Sequence, residues 1–110
     1  MKIRNITMVN FINGYEALAE KNLPNRLAYA LDVNRKMFAT QYIEAYVRRQ
    51  QELSDVNDYE CINELINVEI DANVQTVPIS VLERMDEVDK YDALTAIDMA
   101  NISFMISDDK

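Results

Sequence analysis

The sequence has 110 residues, a net charge of −8, one Cys, one Gly and no His. This length predicts a single domain, and one Cys excludes an intramolecular disulfide bond. Without His, the commonest general base and metal ligand is missing, and one Gly excludes a glycine-rich phosphate loop. No stretch reaches the roughly 20 apolar residues of a membrane span. We therefore expect a cytoplasmic protein that makes no membrane contact and needs no cofactor.

The charge is distributed unevenly along the chain. Residues 1–54 contain eight Lys/Arg and five Asp/Glu, which gives a net charge of +3. Residues 55–110 contain three Lys/Arg and fourteen Asp/Glu, which gives a net charge of −11. This asymmetry indicates complementarity within the molecule, an interaction surface or a solvated face. In every case it disfavours direct binding of nucleic acid, because the acidic surface repels phosphates.

Apolar spacings of three and four residues predict a first helix over residues 6–21. Gly14 lies inside this helix and permits either close packing or a kink. Pro24 then favours the start of a new helix, since its missing N–H would be unpaired at that position anyway. The second helix is predicted over residues 24–53, about 45 Å at 1.5 Å per residue.

The helix predicted at 24–53 has apolar residues on two faces and is long for so small a domain. Its far end, residues 48–52, is therefore expected to be either exposed or covered by another subunit. The candidate self-association residues are Tyr42, Tyr46, Val47 and Leu53.

A strand is predicted over residues 67–77, where apolar and polar residues alternate. Val68, Ile70 and Val74 should face inward. An unpaired strand needs a partner for its backbone groups. The candidates are residues 2–5, the distal part of the same strand, or the same strand of another subunit. Pairing with 2–5 would bring Lys2 and Arg4 close to the acids of the strand.

Short helices are predicted on both sides of this strand. Asn57 with Glu60, and Ser80 with Glu83, have the spacing of capping boxes. A last helix is predicted over residues 91–106, followed by a frayed tail at 107–110. Its inward-facing residues should be Leu94, Ile97, Phe104 and Met105. The expected fold is mainly α (α+β), with four to five helices and a small sheet of two or three strands formed by residues 2–5 and 67–77.

Candidate chemistry is sparse. Acidic neighbours should raise the pKa of the Cys61 thiol, so a buried structural role is expected for this residue. The acids at 86, 87, 89 and 92 could bind a divalent cation, but a capped, solvated link between helices is the favoured interpretation. No catalytic residue and no metal ligand are predicted.

Several short motifs are spread over almost the whole chain. They are MKIRNI, VNFIN, KNLP and LAYAL with Asn34 in the first half, and ELINVEI, SVLE and FMI in the second. With these motifs the chain resembles small uncharacterised proteins of tailed phages and prophages of Gram-positive bacteria. The resemblance implies a phage-encoded accessory protein. Such proteins often carry a longer charged helical hairpin in the middle of the chain. The corresponding segment here, residues 48–58, is shorter.

Two functions are expected from these observations. The first is a non-enzymatic interaction protein that binds a phage or host protein and self-associates. The second is an acidic, anti-CRISPR-like inhibitor of a host defence nuclease, which would imitate nucleic acid. The candidate acidic interaction surface is Glu69, Asp71, Asp86, Glu87 and Asp89. An enzyme is not expected, because no nucleophile, base and oxyanion donor come together in the pattern.

Overall fold

The computed structural model describes residues 1–108. The α-helices are α1 Asn5–Ala19, α2 Asn25–Gln41, α3 Ile43–Asp55, α4 Tyr59–Leu65, α5 Ile79–Met85 and α6 Ala96–Ile102, and a short 3₁₀ helix spans Ser103–Met105. The strands are β1 Lys2–Arg4, β2 Glu69–Asp71, β3 Val77–Pro78 and β4 Ile106–Ser107. The mainly helical α+β prediction is confirmed, with six α-helices in place of four to five. The predicted tail begins with strand residue Ser107, and its last two residues lie outside the described ones.

An aromatic cluster joins α1, α2 and the 3₁₀ helix. Phe11 lies edge to face against Phe38 and Phe104, with ring centroids 5.8 and 5.4 Å apart. These contacts contribute beyond the burial of apolar area. The core therefore ties the end of the chain to its first two helices. The largest fully buried side chains are Met8, Phe11, Leu18, Leu27, Leu31, Asn34, Phe38, Val77, Ile102 and Met105.

The single helix predicted at 24–53 is wrong, because the chain bends at Tyr42, which has φ −128° and ψ −40°. Hydrogen bonds still cross the bend: the Tyr42 N–H donates to the Phe38 carbonyl, and the Tyr42 carbonyl accepts from Tyr46. The Tyr42 hydroxyl donates to the Asp71 carbonyl at 2.8 Å. Because the apolar spacing continues through Tyr42, the sequence pattern gives no sign of the bend.

The predicted pairing of β2 with the N-terminal segment is confirmed. The strands are antiparallel, with Lys2 opposite Asp71 and Arg4 opposite Glu69. Opposite charges across a strand pair contribute roughly 0.2–1 kcal/mol each. The sheet therefore joins the basic half of the chain to the acidic half.

The strand predicted at 67–77 is shorter than expected. Val68 was predicted to face inward but is 49% exposed. It lies in a turn before the strand, where its N–H donates to the Leu65 carbonyl. Ile70 and Val74 are half-buried. Beyond residue 76 the chain enters a second, parallel pair formed by β3 and β4.

The capping box predicted at Asn57 and Glu60 is wrong. Asp58, not Asn57, caps α4 by accepting from the Cys61 N–H at 3.2 Å. The N-cap residue of α5 is Pro78, so Ser80, the predicted cap, lies inside the helix. The last helix is also shorter than the predicted 91–106, and Ile97, expected to face inward, is 73% exposed.

Gly14 lies where α1 packs against α6. A Cβ built at this position would be 2.5 Å from the Asn101 side-chain nitrogen. Of the two roles expected for Gly14, close packing is therefore the correct one, and α1 continues through it.

We expect Gly14→Ala to raise the free energy of unfolding by about 1 kcal/mol in an Asn101→Ala background, because Ala favours a helix over Gly. In the natural background the gain should be smaller, since the Asn101 side chain must move. Urea denaturation of the four variants of this cycle measures the difference. An equal increase in the free energy of unfolding in both backgrounds would show that the Asn101 side chain does not restrict the space at residue 14.

Candidate functional site

A groove of about 580 Å³ lies between α5, the segment 86–94 that follows it and Met99 of α6. Its apolar floor includes Leu82 and Met85, which are buried, with Met99 at one side. Asp86 and Asp89 line its rim and are exposed. The lining thus combines apolar side chains with carboxylates. We name this feature the α5–α6 groove.

The segment between α5 and α6 is anchored to the turn between α1 and α2. The Asn22 N–H donates to the Asp92 carboxylate at 2.5 Å, and the Asp92 N–H donates to the Asn22 carbonyl at 2.9 Å. The Asn22 side-chain amide donates to the Lys90 carbonyl. The Lys21 ammonium donates to the Ala93 carbonyl at 3.2 Å. These bonds hold the acidic rim in place against the body of the protein.

A capping box fixes the start of α6. The Asp98 N–H donates to the Thr95 hydroxyl at 3.1 Å, and the Thr95 N–H donates to the Asp98 carboxylate at 3.0 Å. Asp98 is buried, and its carboxylate lies 3.9 Å from the Lys21 ammonium. The first turn of α6 is thus held by the same turn that anchors the rim.

The five acids predicted as one interaction surface occupy two parts of the fold. Asp86 and Asp89 line the α5–α6 groove, and exposed Glu87 lies between them in the chain. Glu69 and Asp71 lie on β2 instead, opposite basic residues of β1. Asp71 lies 3.1 Å from the N-terminal ammonium, and the Arg4 guanidinium donates to the Asn67 side chain.

The four residues predicted for self-association differ in exposure. Tyr46 and Leu53 are buried within the chain, and Tyr42 is half-buried and bonded to β2. Val47 is 52% exposed and forms a narrow stripe along α3 with Ile43. Self-association stays a prediction, and Val47 is the one exposed member of the predicted set.

Cys61 is half-buried at the start of α4. A side-chain hydrogen bond with Asp58, then desolvation and nearby carboxylates, raise the pKa of its thiol. A raised pKa lowers the thiolate fraction at neutral pH, the opposite of what an activated nucleophile needs. Among residues 1–108, no three Cys, Asp or Glu side chains are grouped so that they could hold a metal ion.

Comparisons with protein-family models, curated proteins and solved structures gave no match for this chain. Within the described part of the chain, no helix is both long and apolar enough to cross a membrane.

Sequence reasoning missed the α5–α6 groove, although it noticed the acidic segment. Three of its acids were predicted to belong to an interaction surface, but the buried apolar side chains beside this segment were not predicted. Leu82 and Met85 precede these acids, and Met99 follows them. Large apolar residues on both sides of an acidic turn were the available signal.

Proposed function

We propose that this chain is a phage-encoded, non-enzymatic accessory protein that acts in the bacterial cytoplasm by binding another protein. The observation that carries the proposal is the α5–α6 groove, with its apolar floor and acidic rim. The resemblance to phage and prophage proteins supports the origin. The site contributes apolar contacts and negative charge, which suit binding.

The charge of the rim defines the kind of partner. Residues 83–92 contain five Asp/Glu and two Lys/Arg. A partner segment with large apolar side chains and Lys or Arg close to them would fill the floor and meet the rim carboxylates. Such complementarity mainly increases the association rate and excludes acidic partners, and it weakens as salt rises.

Charge reversal at the rim tests the proposal. Peptides selected from a random display library on the natural protein should combine Lys or Arg with Leu, Met or Phe. Their affinity should fall by at least about tenfold for the variant with Asp86→Lys and Asp89→Lys, because each rim attraction becomes a repulsion. Both positions are exposed, so the fold should tolerate the change. Isothermal titration calorimetry measures the affinity.

The matched control is a variant with Glu60→Lys and Glu64→Lys, which changes two exposed acids on α4 and alters the net charge equally. Its affinity for the same peptides should stay within about twofold of the natural protein. Selected peptides without an excess of basic residues, or equal losses in both variants, would contradict binding in the α5–α6 groove.

Inhibition of a host defence nuclease is the second candidate, favoured by the net charge of −8. Nucleic-acid mimicry depends on charge spread over a surface, so both charge-reversed variants should lose inhibition. DNA should also displace the chain from the nuclease. If the nuclease instead bound in the α5–α6 groove, only the variant at Asp86 and Asp89 should lose inhibition. This difference separates the two functions.

Self-association through α3 remains a further part of the proposal. The neighbouring charges pair along the helix, with Glu44 and Arg48 at 3.1 Å and Arg49 and Glu52 at 3.2 Å. A stable interface buries roughly 1,200–2,000 Å² in total, far more than a stripe around Val47 supplies. We therefore propose that any association through this stripe is weak.

A further inference from the structure

The exposed side of α6 is apolar throughout. Ala96, Ile97, Met99 and Ala100 are the exposed residues of this helix, and Ile97 has 73% of its surface in contact with solvent. The polar residue Asp98 is buried. A surface helix ordinarily has the opposite arrangement, with polar residues outward. We name these four exposed residues the α6 face.

Contacts within the chain explain why the polar residues of α6 turn inward. Asp98 caps its own helix and lies 3.9 Å from the Lys21 ammonium. Asn101 is half-buried and lies where α6 packs against Gly14. Both side chains therefore lie on the side of α6 that faces the body of the protein, and the apolar residues lie on the other side. The reversal is therefore a consequence of how α6 docks.

The α6 face continues into the α5–α6 groove. Met99 belongs to both, since it lines the groove and is 37% exposed. Asp86 and Asp89 stand on the groove rim beside it. An apolar face and an acidic rim thus form one surface, and its charge indicates what covers it.

We infer, on the basis of the proposed function, that the bound segment is a basic amphipathic helix of the partner protein, packed along the α6 face. Ala96 and Ala100 are one turn apart and small, so they permit close approach of a second helix. The apolar side of that helix covers Ile97 and Met99. Its Lys or Arg residues face the rim, the arrangement of a helix bound in a groove.

A second copy of this chain is a poorer occupant of the surface. Two copies that meet through the α6 face around a two-fold axis would bring both acidic rims to the same interface. Like charges placed opposite one another at an interface cost binding energy. Charge complementarity therefore favours a basic partner.

Two synthetic peptides of about 18 residues, both made of equal numbers of Leu and Lys, test the inference. One places Leu at helical spacing, and the other alternates Leu and Lys as in a strand. We expect the helical peptide to bind at least about tenfold more tightly, because only it presents one continuous apolar side beside its charges. Calorimetry measures the affinity, and circular dichroism should show a gain of helix on binding.

Variants of the α6 face provide the second arm. Ile97→Gln removes an apolar contact, and Ala100→Gln puts a longer side chain where the helix would approach. Each should weaken binding of the helical peptide by at least about fivefold. Tyr29→Gln is the matched control, because Tyr29 is an exposed apolar residue on α2, 65% exposed, and should leave the affinity unchanged.

The outcomes separate this inference from the proposed function. One outcome is equal binding of both peptides, with an affinity that the rim variant lowers and Ile97→Gln does not change. That result would contradict a helical partner segment and leave the proposed function intact. Binding that the rim variant does not weaken would overturn both. Light scattering gives the mass: a dimer that Ile97→Gln converts to a monomer would assign the α6 face to a second copy and overturn the inference.

Discussion

Phe11→Ala should lower the free energy of unfolding by about 3–5 kcal/mol, the range for truncation of a fully buried aromatic side chain. Phe11 has no exposed surface and packs edge to face against the rings of Phe38 and Phe104. The three rings come from α1, α2 and the 3₁₀ helix, so the cavity would open where these elements meet. The loss comprises apolar transfer, cavity formation and two edge-to-face contacts.

Guanidinium chloride denaturation followed by circular dichroism measures this loss. Tyr29→Ala is the control, because it removes a similar ring from the exposed side of α2 and should change stability by no more than about 0.5 kcal/mol. Similar losses in both variants would contradict the placement of Phe11 at the centre of the core.

Asn34→Ala should have the second largest effect, a loss of about 2–3 kcal/mol, because two backbone groups lose their partner. Asn34 is fully buried on α2. Its side-chain oxygen accepts from the Gln75 N–H at 2.7 Å, and its side-chain nitrogen donates to the Gln75 carbonyl at 2.9 Å. One amide side chain thus satisfies both backbone groups of a residue in the link from β2 to β3.

The Asn34 prediction has a local readout as well as a global one. Amide hydrogen exchange at Gln75 should accelerate in Asn34→Ala, since its N–H loses the acceptor. Asn10→Ala, an exposed position on α1, is the control and should change neither the exchange at Gln75 nor the stability by more than about 0.5 kcal/mol. An unchanged exchange rate at Gln75 would contradict the bridge.

Sequence periodicity predicted much of the fold, because local spacing is what decides a helix or a strand. The first helix was predicted at 6–21 and lies at Asn5–Ala19. The alternation around Ile70, together with the need to pair backbone groups, predicted the β1–β2 ladder in which Ile3 lies opposite Ile70. Helix ends were less accurate, since neighbouring polar residues compete for the same cap.

The bend at Tyr42 shows where local spacing fails. Neither Pro nor Gly marks the bend, and the apolar pattern runs through it. The contact found there is the hydrogen bond from the Tyr42 hydroxyl to the Asp71 carbonyl, between residues 29 positions apart. A contact between distant residues leaves no periodic signal in either segment.

The candidate site was predicted only in part. Asp86 and Asp89 were recognised as candidates, but their position beside an apolar floor was not. Ile97 was expected to face inward because it is apolar. It faces outward, because the side of α6 that carries Asp98 and Asn101 packs against the body of the protein.

By itself, the sequence determined the mainly helical composition and the charge asymmetry, which follow from residue type and short spacing. It also named the N-terminal segment as one of three candidate partners for the strand. Only the tertiary structure decided that the acidic segment borders a groove and that α6 presents its apolar residues outward. The physical reason lies in bonds such as that between Asn22 and Asp92, 70 positions apart. These bonds orient each element, and the orientation of the elements creates the surface proposed to bind a partner.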